Sequence, residues 1–163
     1  MNSLLKIKII RGVKIVTYPF TDYFKGFEQV QAVKSLFGEQ TENILKDLRV
    51  EFTSGGRYMG VSSEDGHLRI NAQYLNTGNL IDIYLDIIHE LVHVKQFMEG
   101  KELRDRNFQY IDRPTEIEAF QHAVNEARNL GMNDKQILEY LKTETMSKDN
   151  LHRLANAVNV YIN

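Results

Sequence analysis

Residues 80–99 constrain the fold more than any other part of this chain. Large apolar side chains cover almost the whole circumference of a helical wheel drawn for this stretch, namely Ile81, Ile83, Tyr84, Leu85, Ile87, Ile88, Leu91, Val92, Val94 and Phe97. A helix that is apolar all round is normally a buried one. Six of its polar residues fall within one stripe, namely Asp82, Asp86, His89, Glu90, His93 and Gln96. Because a buried polar group without a partner costs roughly 1–3 kcal/mol, this stripe needs partners.

Two histidines of the stripe stand four residues apart, in the motif His89-Glu90-Leu91-Val92-His93. Residues at that spacing share one helix face, with Cβ atoms roughly 5–6 Å apart, so both imidazoles can bind one ion. Zn²⁺ accepts histidine nitrogen at about 2.0–2.1 Å. Glu90 lies one position round the helix and can reach a water on that ion, as in zinc hydrolases. The alternative is a pair of core histidines bonded to backbone groups, but the spacing and the intervening glutamate favour a metal.

A zinc site needs a third protein ligand, and residues 113–123 offer candidates. On a helix, Glu116 and Glu118 point about 200° apart. Glu116 lies in the middle of the apolar face, where a carboxylate needs a charged partner, so it is the predicted third ligand. Glu118 on the polar face is the alternative, and His122 is a more distant one. Glu116 has no ligand role if it merely lies in an exposed first turn, where the helix dipole favours an acid.

The motif, followed by a second helix that carries Pro-Thr-Glu-Ile-Glu-Ala at 114–119, resembles the compact gluzincin metallopeptidases. The chain is most similar to the minigluzincins and to small zinc-protease domains of the stress-response and anti-repressor type, over roughly residues 57–130. The resemblance implies that His89, His93 and Glu116 bind Zn²⁺. It implies that Glu90 is the general base, which takes a proton from the zinc-bound water during attack on a peptide carbonyl.

Other polar residues are candidates for supporting roles. A peptidase needs an electrophilic group to stabilise the oxyanion. Tyr110, in the loop between the two ligand helices, is preferred for it over His122 and His152. Asp86, one turn before the motif, is a candidate to orient a zinc histidine, although such an aspartate more often lies in a solvated helix start. The family commonly has an acidic or amide residue four positions after the third ligand. That position is Phe120 here, so the partner of one zinc histidine stays unassigned.

The rest of the chain predicts an α+β fold, a small N-terminal antiparallel or mixed sheet followed by a zincin-like helical half. We expect β structure over residues 5–17, with Gly12 as a turn or bulge, and short strands at 49–52, 57–61 and 68–71. Helices are expected at 26–47 with a break near Gly38, and at about 80–99, 114–130, 134–142 and 148–160. Residues 1–163 are therefore predicted to be one zincin-like metallopeptidase domain, sheet-rich over 1–75 and helical over 79–163.

Two segments have open interpretations. The residues 57–71 come just before the metal helix, where zincin folds have the strand that forms the upper rim of the cleft. An extended substrate can pair with the open edge of such a strand, and an ordinary hairpin is the alternative. The terminal residues 158–163 are apolar and carry no charged side chain. They either occupy the cleft of a latent enzyme or complete the core.

Composition excludes several classes of function. The chain has no cysteines, which excludes disulfides, thiolate zinc sites and cysteine nucleophiles. A formal net charge of -2 gives no basic face for nucleic acid or an anionic membrane. Charges interrupt every long apolar run, so we expect no signal peptide, no transmembrane span and a cytoplasmic location. The predicted function is a zinc-dependent peptidase acting on a peptide or protein. The alternative is a catalytically weak or latent metal-binding regulatory or scaffold protein with a zincin fold.

Overall fold

The computed structural model describes residues 6–143 and 145–161. A small mixed sheet in the N-terminal half precedes a helical half, so the predicted α+β class is confirmed. The strands are β1 (Tyr18–Pro19), β2 (Arg49–Thr53), β3 (Met59–Val61) and β4 (Leu68–Asn71). The α-helices are α1 (Phe20–Tyr23), α2 (Gln31–Phe37), α3 (Thr41–Asp47), α4 (Ala72–Thr77), α5 (Leu80–Met98), α6 (Pro114–Asn129), α7 (Asp134–Leu141) and α8 (Lys148–Ala157). No helix within the described ranges is both long and apolar enough to cross a bilayer.

The strands lie in the order β1-β2-β4-β3, so β3 is at one edge of the sheet. β1 is antiparallel to β2, β2 is parallel to β4, and β3 is antiparallel to β4. Met59 on β3 lies opposite Ile70 on β4, and both side chains are buried in the same core as the apolar residues of α5. Arg69, next to Ile70, is exposed. One face of the sheet therefore packs on α5, while the other faces solvent.

Helix α5 begins and ends where the sequence predicts. Asn79 is the N-cap, and its side-chain oxygen accepts hydrogen bonds from the backbone N–H groups of Ile81 at 2.9 Å and Asp82 at 3.2 Å. Gly100 follows the helix with a φ of 76°, a left-handed conformation that glycine adopts without strain. The helix contacts α2, β3 and α6. This position inside the fold explains why α5 is apolar on nearly every side.

The predicted β structure over residues 5–17 is wrong for the part that the structure describes. Residues 6–17 contain no strand, and Leu5 lies outside the described residues. Gly12 has a φ of 83°, in the left-handed region, but the predicted turn or bulge is not formed there. The apolar side chains of this segment are exposed, 72% for Ile9 and 88% for Val13. The alternating pattern suits a strand, but a strand also needs a partner for its backbone hydrogen bonds, and pairing in the sheet begins only at Tyr18.

Elsewhere the predicted elements are present, with small differences at their ends. Residues 27–47 are mostly helical, with the predicted break at Gly38 and a further one at Val30. The helices at 20–23 and 72–77 were not predicted. α8 ends at Ala157, before the predicted end at residue 160. The tail that follows is anchored in the helical core, because Val158 and Val160 are fully buried there. Of the two predicted positions for the tail, the structure therefore favours the core, where it places Val158 and Val160, while Asn159 and Tyr161 are exposed. Residues 162–163 lie outside the described residues.

Candidate metal centre

Three potential ligand atoms from α5 and α6 converge on one point. The Nε2 atoms of His89 and His93 are 3.1 Å apart, and each lies 3.2 Å from Oε2 of Glu116. A tetrahedral zinc ion with ligands at about 2.0–2.1 Å holds any two of them about 3.3–3.4 Å apart. The triangle thus matches one face of such a tetrahedron to within about 0.3 Å. It also brings together the three residues that the sequence singled out as ligands.

The charges of the cluster favour a cation at this point. Burial raises the pKa of Glu116, but hydrogen bonds to His89 and His93 outweigh burial and hold that pKa well below its usual value. Burial lowers the pKa of His93, yet the Glu116 hydrogen bond and the charges of Glu90 and Glu116 raise it to about 9. Without a metal, the negative charge of Glu116 is therefore balanced by a proton on His93. A divalent ion would have to replace that proton, since only a bare nitrogen can be a ligand.

Gln96 orients His93, a role that the sequence did not reveal. Its side chain is completely buried, at 0% exposure. The amide NH₂ donates to the backbone oxygen of Thr115 at 3.0 Å and to Glu118 Oε2 at 2.7 Å. The amide oxygen is left to accept a hydrogen bond from Nδ1–H of His93, at 2.7 Å. With its proton on Nδ1, neutral His93 presents the lone pair of Nε2 to the triangle. The only sequence signal was the position of Gln96 on the polar stripe.

His89 is held in a different way from its partner in the motif. Its Nδ1 is buried with no hydrogen-bond partner in the described part of the chain. Its ring packs edge-on against Phe120, with ring centroids 4.4 Å apart. Asp86, a candidate to orient a zinc histidine, instead accepts hydrogen bonds from the hydroxyls of Tyr74 and Tyr140. That prediction is wrong because tyrosines from α4 and α7 take both carboxylate oxygens. Packing on Phe120 therefore holds the His89 ring but leaves its Nδ1 without a hydrogen-bond partner among the described residues.

Glu90 lies beside the triangle with an unpaired carboxylate oxygen. The residue is 7% exposed, and its Oε2 has no hydrogen-bond partner among the residues described. Burial raises its pKa, although the charges of His89 and His93 oppose that effect. Leaving such an oxygen unpaired costs about 1–3 kcal/mol, so a group that donates a proton is favoured next to it. A water molecule or a substrate N–H at the metal centre fits this requirement.

Tyr110 lies between the triangle and two arginines. Its hydroxyl is beside the Glu116 carboxylate, and burial, together with the charges of Glu116 and Glu90, raises its pKa well above the usual value. The guanidinium carbon of Arg57 is 5.0 Å from the centroid of the Tyr110 ring, and that of Arg113 is 5.9 Å away. The residue predicted as the electrophilic helper is therefore next to the centre, as a neutral hydroxyl that can donate a hydrogen bond. Its catalytic role stays a prediction.

The other candidates lie outside the triangle. Glu118, the alternative ligand, accepts hydrogen bonds from Gln96 at 2.7 Å and Lys101 at 3.4 Å. His122 is half-buried on the outer face of α6, in a shallow depression of the surface, and His152 on α8 is exposed. Among the described residues, His89, His93 and Glu116 form the one group whose ligand atoms lie close enough together to hold a metal ion.

Comparison of the chain with protein-family models, with curated proteins and with solved structures finds no match in any of the three. Function is therefore inferred from the geometry of the triangle and from the side chains around it.

Proposed function

We propose that this chain is a zinc-dependent peptidase of the gluzincin type. The observation that carries the proposal is the triangle of ligand atoms from His89, His93 and Glu116, at separations of 3.1 to 3.2 Å, with the unpaired Glu90 carboxylate beside it. Two imidazoles and one carboxylate are a donor set of catalytic zinc sites, whereas structural sites use four protein ligands. The resemblance of the motif and of the second ligand helix to the gluzincins supports the same assignment.

The chemistry divides between the ion and the side chains. Bound zinc would supply a Lewis acid that makes water more acidic and polarises a carbonyl. Glu90 accepts the proton of the attacking water and returns it to the leaving amine. The neutral Tyr110 hydroxyl is the donor that we assign to the carbonyl oxygen, on which negative charge develops. Gln96 keeps the proton of His93 on Nδ1, so that Nε2 stays available as a ligand.

The edge strand supports an extended peptide as the substrate. β3 is the last strand of the sheet order and lies beside α5, which carries the two histidines. An extended peptide can add to such an edge through backbone hydrogen bonds, with little demand on its sequence. We propose neither nucleic acid nor a membrane as a partner, because the formal net charge of -2 gives no basic face. We propose the cytoplasm as the compartment, because charged residues interrupt every long apolar run.

A second candidate is a catalytically weak or latent metal-binding protein with a regulatory or scaffold role. The observation that favours it is the closure of the site, because the four central residues are only 5% to 7% exposed. A peptide carbonyl must reach the same atoms. Cleavage therefore requires neighbouring side chains to move aside, and a chain in which they do not move binds metal without turnover.

Elemental analysis and a peptide-cleavage assay separate these functions. We expect about one zinc per chain, lost in the His89→Ala/His93→Ala variant, whose circular dichroism should stay that of a folded protein. Glu90→Gln should retain zinc and lose cleavage, while Glu139→Gln, the same change at an exposed position of α7, should retain both. A folded protein without zinc would contradict the site. Cleavage unaffected by Glu90→Gln would contradict the mechanism, and zinc binding with no cleavage would favour the second candidate.

A further inference from the structure

Among the residues that the structure describes, Arg57 has no acidic partner and lies at the rim of the candidate metal centre. Arg57 lies two residues before the start of β3, and its guanidinium carbon lies 5.0 Å from the centroid of the Tyr110 ring, whose hydroxyl is beside Glu116. In the described part of the chain, the arginines that form ion pairs with carboxylates are Arg69, Arg128 and Arg153. Arg57 is not among them, although it is close to the most polar part of the molecule.

The surroundings of Arg57 leave its hydrogen-bonding edge available. A guanidinium over an aromatic ring is attracted by the π-electrons and is held in one orientation, while its N–H groups still point outward in their own plane. Arg57 is exposed as a whole. Arg113, which approaches the same ring from 5.9 Å, uses its Nε to bind the backbone oxygen of Asp105. Of the two arginines, Arg57 is therefore the one prepared to bind an incoming anion.

The direction of β3 determines which part of a peptide meets Arg57. β3 runs from Met59 to Val61 at the edge of the sheet, antiparallel to β4. A peptide that adds to the free edge in antiparallel fashion runs the opposite way. Its N-terminal part then lies near Val61, and its C-terminal part passes Arg57. With the cleaved bond opposite β3, which contacts the histidine-bearing α5, an anion bound by Arg57 belongs to the C-terminal side of that bond.

We propose that Arg57 is a specificity residue that binds a carboxylate on the C-terminal side of the cleaved bond. The carboxylate is either the free C-terminus of the substrate or an aspartate or glutamate side chain. A planar guanidinium forms two parallel hydrogen bonds with a carboxylate, which neither a peptide amide nor a neutral side chain can match. This substrate class deepens the proposed peptidase function and rests on it.

N-acylated dipeptides test the proposal, because each has a single peptide bond between its two residues. Four probes suffice: Leu-Phe with a free C-terminus, Leu-Phe amide, Leu-Glu amide and Leu-Gln amide. We expect the wild-type protein to cleave one carboxylate probe with a kcat/KM at least about tenfold above its neutral counterpart, since hydrogen bonds to charged groups contribute about 1.5–3 kcal/mol. The first pair reports on the C-terminus, and the second pair on the side chain.

Variants at Arg57 should remove this preference. In Arg57→Ala we expect KM for the preferred probe to rise until the ratio of kcat/KM between the carboxylate probe and its neutral counterpart is about one. Arg57→Lys should keep part of the preference, because it retains the charge but not the planar fork. Arg69→Ala, the control, removes an exposed arginine of β4 from the solvent-facing side of the sheet and should behave as the wild type. Equal cleavage of acidic and neutral probes by the wild type, or an equal loss for all probes in Arg57→Ala, would overturn the proposal.

A binding measurement keeps this inference separate from the peptidase proposal. The same four probes are titrated by calorimetry into zinc-loaded Glu90→Gln protein, with and without Arg57→Ala. If no probe is cleaved but the carboxylate probe binds preferentially and the preference needs Arg57, the carboxylate site stands and the peptidase does not. If acid and amide probes bind equally, or do not bind, the carboxylate site is refuted whatever the activity.

Discussion

Replacement of Gln96 by leucine removes the one side chain that orients His93, at almost unchanged volume. Three hydrogen bonds are lost, to His93, Thr115 and Glu118. The Glu118 side chain is 38% exposed and can bind water instead. The Nδ1–H of His93 is buried, and without its acceptor it costs about 1–3 kcal/mol. Under the proposed zinc site, the ion would bind the form of His93 that carries this proton, so the cost of the unpaired Nδ1–H should appear mainly as a weaker affinity for zinc.

That free energy corresponds to about a 5- to 150-fold change in a dissociation constant. Loss of a partner of a metal ligand commonly weakens metal binding about 10- to 100-fold. We therefore expect Gln96→Leu to bind zinc about 10- to 100-fold more weakly, as measured by competition with a chromophoric chelator, with the circular dichroism of the wild type. Gln31→Leu, the same change at the exposed start of α2, is the control and should bind zinc normally.

An exchange of partners tests the direction of these hydrogen bonds. Gln96→Glu alone places two carboxylates where the amide nitrogen and Glu118 Oε2 now lie 2.7 Å apart, and should weaken zinc binding. The double variant Gln96→Glu/Glu118→Gln restores a donor opposite an acceptor at this contact, while the Thr115 backbone oxygen still lacks its donor, so it should recover part of the affinity. A folded Gln96→Leu protein that binds zinc as tightly as the wild type would refute the role of Gln96.

Two further predictions concern stability and are measured by urea unfolding. A Cβ at Gly66, where φ is 77°, would overlap the Phe97 ring. Gly66→Ala should therefore lower the free energy of unfolding by about 2 kcal/mol or more. Gly60→Ala is the control: its Cβ meets nothing within 4 Å, so the urea midpoint should be nearly unchanged. Deletion of residues 158–163 removes the buried Val158 and Val160 and should lower that free energy by about 3 kcal/mol or more. A truncated chain of full stability and increased cleavage would instead indicate that the tail inhibits the enzyme.

Both ligand helices and the triangle of candidate ligands were predictable because they depend on local patterns. The sequence of α5 itself shows that its circumference is apolar. Asn79 and Gly100, which lie next to its two ends, show where it begins and ends. The spacing of His89 and His93 decides their common face through helix geometry alone. Glu116 was distinguishable from Glu118 because only one of them lies on the apolar side of its own helix. None of these inferences needs knowledge of a distant contact.

Only the tertiary structure decided which groups serve the centre. Gln96 meets Glu118 from another helix, and Asp86 meets Tyr140 across 54 residues of chain; no local pattern specifies either partner. For the same reason, the alternating pattern of residues 6–17 predicts a strand that is not formed. A strand needs backbone hydrogen bonds to another segment of the chain, whereas a helix makes its backbone hydrogen bonds within itself. The sequence thus determined the helices and the candidate ligands they carry, and packing determined what holds those ligands in place.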